Sequence, residues 1–356
     1  MQVPNPTSAP SQWLQFLESR GARIAPDSNV ASRVDFRRPE AELRSAQSGS
    51  VVAPLTHLAT LGFAGADADA FLQGQVTCDV QGLDSVHATL GCYCTPQGRM
   101  LANFVLWRDG NDLRMALSAD IAGAIQKRLR MFVLRAKVEI SMSDADPVLL
   151  GVAGPAGAGA LADAIGAAPA EPMTVQGDDR ATAIGLPGGR FLVAIRAPRA
   201  SALWESLAAT LEPVGTAAWQ WLDIVAGMPL VTLPTQDQFV PQMANVELIG
   251  GINFQKGCYT GQEVIARAQH RGKVKRRLYL AHVAGGAAQA GDRVVGVGGD
   301  DGEPAGGLVV NAAPSPEGGW DVLAVLQSAS LGAGTLRLHA ADGPMLELRA
   351  LPYGIR

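Results

Sequence analysis

Two segments of this chain recur, in the same order and at nearly the same spacing. LGFAGADADAFL at Leu61–Leu72 resembles LGVAGPAGAGAL at Leu150–Leu161, an offset of 89 residues, and TPQGRML at Thr95–Leu101 resembles LPGGRFL at Leu186–Leu192, an offset of 91. Chance likeness between Gly/Ala-rich segments accounts for one such match more readily than for two. The expectation is a duplicated α+β unit of strand, helix, hairpin and helix.

Hydrophobic patterning fills in the copies. In the first, Leu58–Ala64 reads as a strand and Ala66–Gln73 as a short helix behind Gly65. Leu90–Cys94 and Arg99–Trp107 read as a hairpin around TPQG, and Leu113–Leu117 as a strand. Ser118 caps a helix running to Phe132, and Lys137–Met142 closes the module. The second copy closes with a helix at Arg199–Leu211. Trp219–Gly227 reads as helix or strand, followed by an irregular connection bearing Pro229, Pro234 and Pro241. At the other end, Ser11–Ile24 reads as an amphipathic helix with Trp13, Phe16 and Leu17 on one side, and the polar stretch to Ser50 as loop.

From Lys275 the pattern becomes short strands with glycine turns: Arg277–Val283, Arg293–Val297, Gly307–Val310, Asp321–Leu326, Thr335–His339 and Met345–Ala350. Even spacing of this kind predicts a small β-barrel. The domains read along the chain are an N-terminal helix and loop (1–50), a first α+β module (51–143), a second (144–230), a connection (231–274) and a C-terminal β-barrel (275–356).

The connection carries the most chemistry. Gly250–Arg277 reads GGINFQKGCYTGQEVIARAQHRGKVKRR. Thr260 and Glu263 have capping-box spacing, which starts a helix at Gly261. Val264, Ile265 and Ala268 give it an apolar stripe; Glu263, Arg267 and Arg271 fall on another face, and Gly272 is the stop. Cys258 precedes the helix N-terminus, whose dipole favours an anion, and Lys256 is two residues away. Both effects push a thiol toward thiolate. A buried structural cysteine beside a glycine turn is the competing reading. Lys256, Arg267, Arg271, Lys273, Lys275, Arg276 and Arg277, against the single acid Glu263, form a positive cluster suited to a phosphate, a polyglutamate chain or RNA.

Composition removes other classes. Apolar content of 47% with 17% charged residues describes a globular protein, and the net charge of −4 excludes a globally basic nucleic-acid binder but not a local patch. No window approaches the ~18 uncharged apolar residues of a membrane helix, so no membrane partner is expected. The N-terminus, MQVPNPTSAPSQ, does not read as a signal peptide, and four cysteines in 356 residues make no disulfide framework. A cytoplasmic location follows. Cys92 and Cys94 face one side of a strand; with Cys78 and Cys258 they could make a four-thiolate site, but no CxxC pair exists and core cysteines explain the spacing better. No metal is assigned, and no nucleotide-binding glycine motif is present.

KGCYTGQE at Lys256–Glu263, continuing to Arg271 and Gly272, resembles the signature of the YgfZ family, folate-binding relatives of the glycine-cleavage T-protein that also include mitochondrial iron–sulfur assembly factors. GADADAFLQGQVTCDV at Gly65–Val80, QFVPQMANVELIGGINFQKG at Gln238–Gly257 and LPY at Leu351–Tyr353 extend the resemblance over most of the chain from Val51. It implies an α+β, aminomethyltransferase-like three-domain cloverleaf: two interleaved ferredoxin-like modules and a C-terminal β-barrel around a folate site. The implied role is tetrahydrofolate-dependent support of iron–sulfur cluster assembly or repair, with a linked effect on tRNA modification; the partners are iron–sulfur proteins or assembly factors. Lys256 and Cys258 become the functional pair. Folate contacts are implied at Trp219 and Leu58 and, within the signature, at Lys256, Tyr259, Gln262, Glu263 and Arg267.

Some positions depart from the pattern. Where the T-protein has a carboxylate pair, this chain has Ala102 and Asn103, which argues against ordinary aminomethyl transfer. Where the family tends to have a glutamate two residues before a glycine, Val225 precedes Gly227, and valine cannot hydrogen-bond a pterin edge. Leu58 replaces an aromatic contact. The rival readings are a folate-dependent one-carbon or methyl transferase and an RNA-associated protein using Lys273–Arg277.

Overall fold

The computed structural model describes residues 12–26, 32–143, 147–271, 274–297, 306–328, 331 and 334–355. Three sheets dominate it. The first is five-stranded and antiparallel, in the order Ala88–Cys94, Met100–Asp109, Asp112–Ser118, Leu58–Ala64, Glu139–Ser143. The second has the order Val175–Gly177, Ala181–Leu186, Arg190–Ile195, Val148–Ala153, Val51–Pro54, Glu212–Pro213, with only the last pair parallel. Val51–Pro54 thus stands before the first module's strands in the chain yet completes the second sheet, which is how the modules interleave.

Each module runs strand, helix, three-stranded meander, helix. The pieces are Leu58–Ala64, Ala68–Gln73, the meander from Ala88 to Ser118 and the helix Ala119–Val133, against Val148–Ala153, Gly157–Ile165, the meander from Val175 to Ile195 and the helix Ala197–Ala208. The first sequence match falls on equivalent strand–helix pairs. The second does not: TPQGR turns between the first and second meander strands, whereas LPGGR turns between the second and third. The meander of the second module has shorter strands, so one fixed offset cannot hold throughout. Glycine turns resemble one another because backbone geometry demands it.

The C-terminal sheet runs Thr335–Leu338, Arg293–Val297, Gly306–Pro314, Trp320–Gln327, Arg276–Val283, Leu346–Arg349. An antiparallel bridge between Arg337 and Met345 brings its ends together, so it is nearly closed into a barrel. Trp219–Gly227 resolves as the helix Thr216–Val225; Trp221 donates to Asp321 (2.7 Å), which also bonds His282 (2.8 Å), tying this helix to the barrel.

The N-terminal stretch expected as loop contains the helix Pro39–Ser48 and a hairpin of Arg23–Pro26 with Ser32–Asp35. Its polar composition hid two tertiary features. Leu43 and Ala46 are buried, and the Glu42 carboxylate accepts backbone N–H groups of Phe36, Arg38 and Gly215. Among the described residues no helix is long and apolar enough to cross a membrane.

Candidate functional site

The signature loop is bonded to the first module before it reaches its cysteine. Asn253 donates its backbone N–H to the Thr77 carbonyl (2.9 Å), and its side-chain oxygen accepts the N–H groups of Gln255 and Lys256 (2.8 and 3.0 Å). Thr77 donates its hydroxyl to the Gly251 carbonyl at 2.6 Å. Lys256 turns inward. Its ammonium donates to the carbonyls of Gln73, Val76 and Cys78 at 2.7, 2.7 and 2.6 Å, which uses all three donors, and it lies 5.2 Å from the ring centre of Tyr259. Burial lowers its pKa to about 8. Two-residue spacing suggested a cation beside Cys258; the geometry makes it a tie across the loop.

Cys258 itself is exposed, whereas Cys78, Cys92 and Cys94 are buried. Burial pushes Cys78 up to about 12 and raises Cys92 and Cys94 as well, which keeps those thiols protonated and inert. Tyr259 is buried beneath the turn, its hydroxyl without a partner among the described residues and its pKa raised by desolvation. Gly261 then takes φ +84° and the helix runs Gln262–Arg271. The Gln262 N–H donates to the Tyr259 carbonyl (3.2 Å). Glu263, expected in a capping box, instead accepts from Arg267 at 2.6 Å, the i,i+4 partner that solvent leaves free to meet it. A cleft of about 330 Å³ lies along the loop, with Asp79, Thr89, Asn253 and Gln255 in its walls.

Trp219 sits on the second sheet. It is 1% exposed, one face against Gly151, where any β-carbon would be driven into the indole. Arg190 lies over the ring, 5.6 Å from its centre, and pairs with Asp223, one helical turn beyond Trp219. Sequence reasoning missed this Trp–Arg–Asp group; its signals were the i,i+4 spacing of Trp219 and Asp223 and the arginine closing the second glycine turn. Burial raises Asp223, and Arg190 opposes it. One Arg190 terminal nitrogen is buried without a partner among the described residues. Leu58 and Val225 are half-buried against the same core. Next to Leu58, His57 is buried with neither ring nitrogen partnered among the described residues, and desolvation lowers it to about 4.

Asn103 clamps the connection: its side-chain nitrogen donates to the Pro229 carbonyl (2.6 Å) and its oxygen accepts the Val231 N–H (2.7 Å). A carboxylate could make only the second of these bonds.

The positive cluster is dispersed. Lys256 is internal, Arg267 pairs with Glu263, and Arg277 turns inward to Glu247 and to the Gln242 carbonyl. Lys275 and Arg276 are exposed; Lys273 and Gly272 lie outside the described residues. Burial on the barrel's first strand decides the orientation of Arg277, which a count of charges cannot show.

The architecture defines an aminomethyltransferase-like three-domain protein. It is similar to the glycine cleavage system aminomethyltransferase T from Bartonella henselae, with a TM-score of 0.78 over 96% of this chain and 97% of that one at 18% identity. No protein-family model matches the chain. It is 36% identical over 296 residues to the "tRNA-modifying protein YgfZ" of Cronobacter sakazakii (82% of this chain, 89% of that protein). It is 33% identical over 316 residues to that of Yersinia enterocolitica (88% and 95%) and 32% over 329 residues to that of Sodalis glossinidius (92% and 99%). The chain belongs to the YgfZ family.

Proposed function

We propose that this protein is a tRNA-modification-linked accessory factor that binds a reduced folate and uses Cys258 as a solvent-facing thiol in the upkeep of iron–sulfur proteins. The observation that carries the reading is the contrast among four free thiols: three are buried and held protonated, and the fourth is presented in the signature turn. The names of the relatives support the link to tRNA modification. Free thiols suit a reducing cytoplasm.

The residues around Trp219 supply part of what a folate needs. The buried Arg190 nitrogen without a partner among the described residues suits an anionic group, and the half-buried side chains of Leu58 and Val225 suit apolar contact. The indole, 1% exposed between Gly151 and Arg190, offers no free face for stacking. The folate would supply one-carbon chemistry; Arg190 would bind its charge, and Trp219 would support the guanidinium from beneath. Ordinary aminomethyl transfer is disfavoured, because Asn103 is committed to the connection and Ala102 is apolar.

Tetrahydrofolate titration read by tryptophan fluorescence tests the ligand: saturable quenching is expected, and none at high micromolar concentration overturns it. Complementation of a strain lacking its own relative, with wild type and Cys258→Ala, tests the role. Loss of tRNA thiomodification and of iron–sulfur enzyme activity in the variant is expected; full rescue by the variant overturns the role of the thiol.

A further inference from the structure

The helix Ala119–Val133 buries Ile121, Ala122, Ile125 and Leu129 against the first sheet, as an amphipathic helix should. Its last turn breaks the pattern on the other face. Met131 is 60% exposed, Phe132 47% and Leu134 88%. Lys127, Arg130 and Met131 follow the i, i+3, i+4 spacing of one outward face, and Leu134 follows directly where the helix ends. Leu134 holds φ +46° and ψ −102°, a backbone region costly for a branched side chain and one that clusters at functional surfaces. Among the described residues, no other element covers these side chains. Met142, on the adjoining edge strand Glu139–Ser143, is 37% exposed, and Arg130 donates to the Ile140 carbonyl of that strand at 2.7 Å.

Charge surrounds the apolar group. From residue 127 to 139 there are four exposed basic residues, Lys127, Arg130, Arg135 and Lys137, against the single exposed acid Glu139, in a chain whose net charge is −4; Arg128 turns inward toward Tyr93. The patch is therefore opposite in sign to the molecule that carries it. Exposed apolar groups rimmed by charge mark interaction sites, and Met, Phe and Arg are the residue types enriched at the centres of protein interfaces. Phosphate backbones would satisfy the cations but leave Met131 and Leu134 in water, and RNA stacking would use only Phe132.

We propose that the C-terminal turn of this helix is a docking surface for a protein that presents acidic residues around an apolar knob. Met131, Phe132 and Leu134 form the apolar centre, and Lys127 and Arg135 set the partner's sign and orientation. The surface is independent of the folate reading, since none of these residues belongs to the Trp219 group or the signature turn.

The test places a photo-crosslinkable residue at position 134 of the full chain in cells. Position 158, exposed on the helix Gly157–Ile165, serves as control, and the cross-linked peptide is sequenced. The expected result is an adduct, absent at the control position, to a protein segment holding several Asp or Glu residues around an apolar side chain. It should fall at least tenfold on Lys127→Glu with Arg135→Glu, and separately on Met131→Ser with Phe132→Ser. The charge variant should keep the wild-type melting midpoint, because Lys127 and Arg135 are exposed, and the Met131→Ser with Phe132→Ser variant should still unfold in one cooperative transition. An adduct to RNA, to lipid or to a second copy of this chain overturns the proposal. So does a protein adduct that lacks acidic residues or survives both variants, or the absence of any adduct above the control.

Discussion

Gly261 of the signature turn lies back to back with Gly98 of the first module's hairpin: a β-carbon on Gly261 would stand 3.0 Å from the Gly98 α-carbon and 2.5 Å from the Thr95 carbonyl oxygen. Gly98 in turn abuts Val264. The turn that presents Cys258 is thus seated on the first repeat's glycine turn, and both glycines have positive φ. Gly261→Ala meets a crowded site in a left-handed conformation. It is expected to cost about 1–3 kcal/mol in chemical denaturation and to change the alkylation rate of Cys258, while Gly110→Ala, which has open space, spares the thiol.

Removing the Lys256 ammonium leaves three carbonyls without their donor. Lys256→Met is expected to destabilise by about 3 kcal/mol, read from urea midpoints, without a matching fall in Cys258 alkylation at neutral pH, because the ammonium serves Gln73, Val76 and Cys78. A large fall in alkylation with little loss of stability would restore the lysine to the role of thiol activator.

In the native protein at neutral pH, iodoacetamide is expected to modify one thiol rapidly, and peptide mapping should place it at Cys258. Cys78, Cys92 and Cys94 should react only after denaturant is added, since burial hides them and disfavours their thiolates.

His57 makes folding pH-dependent. Its folded value of about 4 lies below the unfolded 6.5, so between these limits the unfolded chain binds the extra proton, and stability falls as pH drops. The stability of wild type relative to His57→Leu should therefore decline by about 2 kcal/mol between pH 7.5 and pH 5, and stay flat above neutrality. Parallel curves for the two proteins would show that the ring is not buried neutral.

Arg190→Met leaves the partly buried Asp223 without its partner and is expected to cost about 1–3 kcal/mol, part of which Arg190→Met with Asp223→Leu should recover. Both variants should shift Trp219 emission, as each removes the cation over the indole.

Much of the local structure was legible because it rests on short-range rules. The strands Leu58–Ala64 and Arg293–Val297 match their patterns residue for residue, and the helix of the signature starts within a residue of its expected place. The helix Pro39–Ser48 was hidden because its stability comes from Glu42 bonding to Gly215, far along the chain. Charge counting failed for the same reason at Arg277, whose partner Glu247 is brought close only by the barrel's first strand.

The sequence by itself determined the two-module-and-barrel fold and the family, and singled out Cys258 for test, since periodicity, turn chemistry and an eight-residue signature are written in adjacent residues. The tertiary structure alone decided what surrounds them. It turned Lys256 from a neighbour of the thiol into a clamp on three carbonyls, set Arg190 between Trp219 and Asp223, and moved Val51–Pro54 into the other module's sheet. A side chain's direction is settled by which buried polar groups lack a partner, and that depends on contacts between residues far apart in the chain.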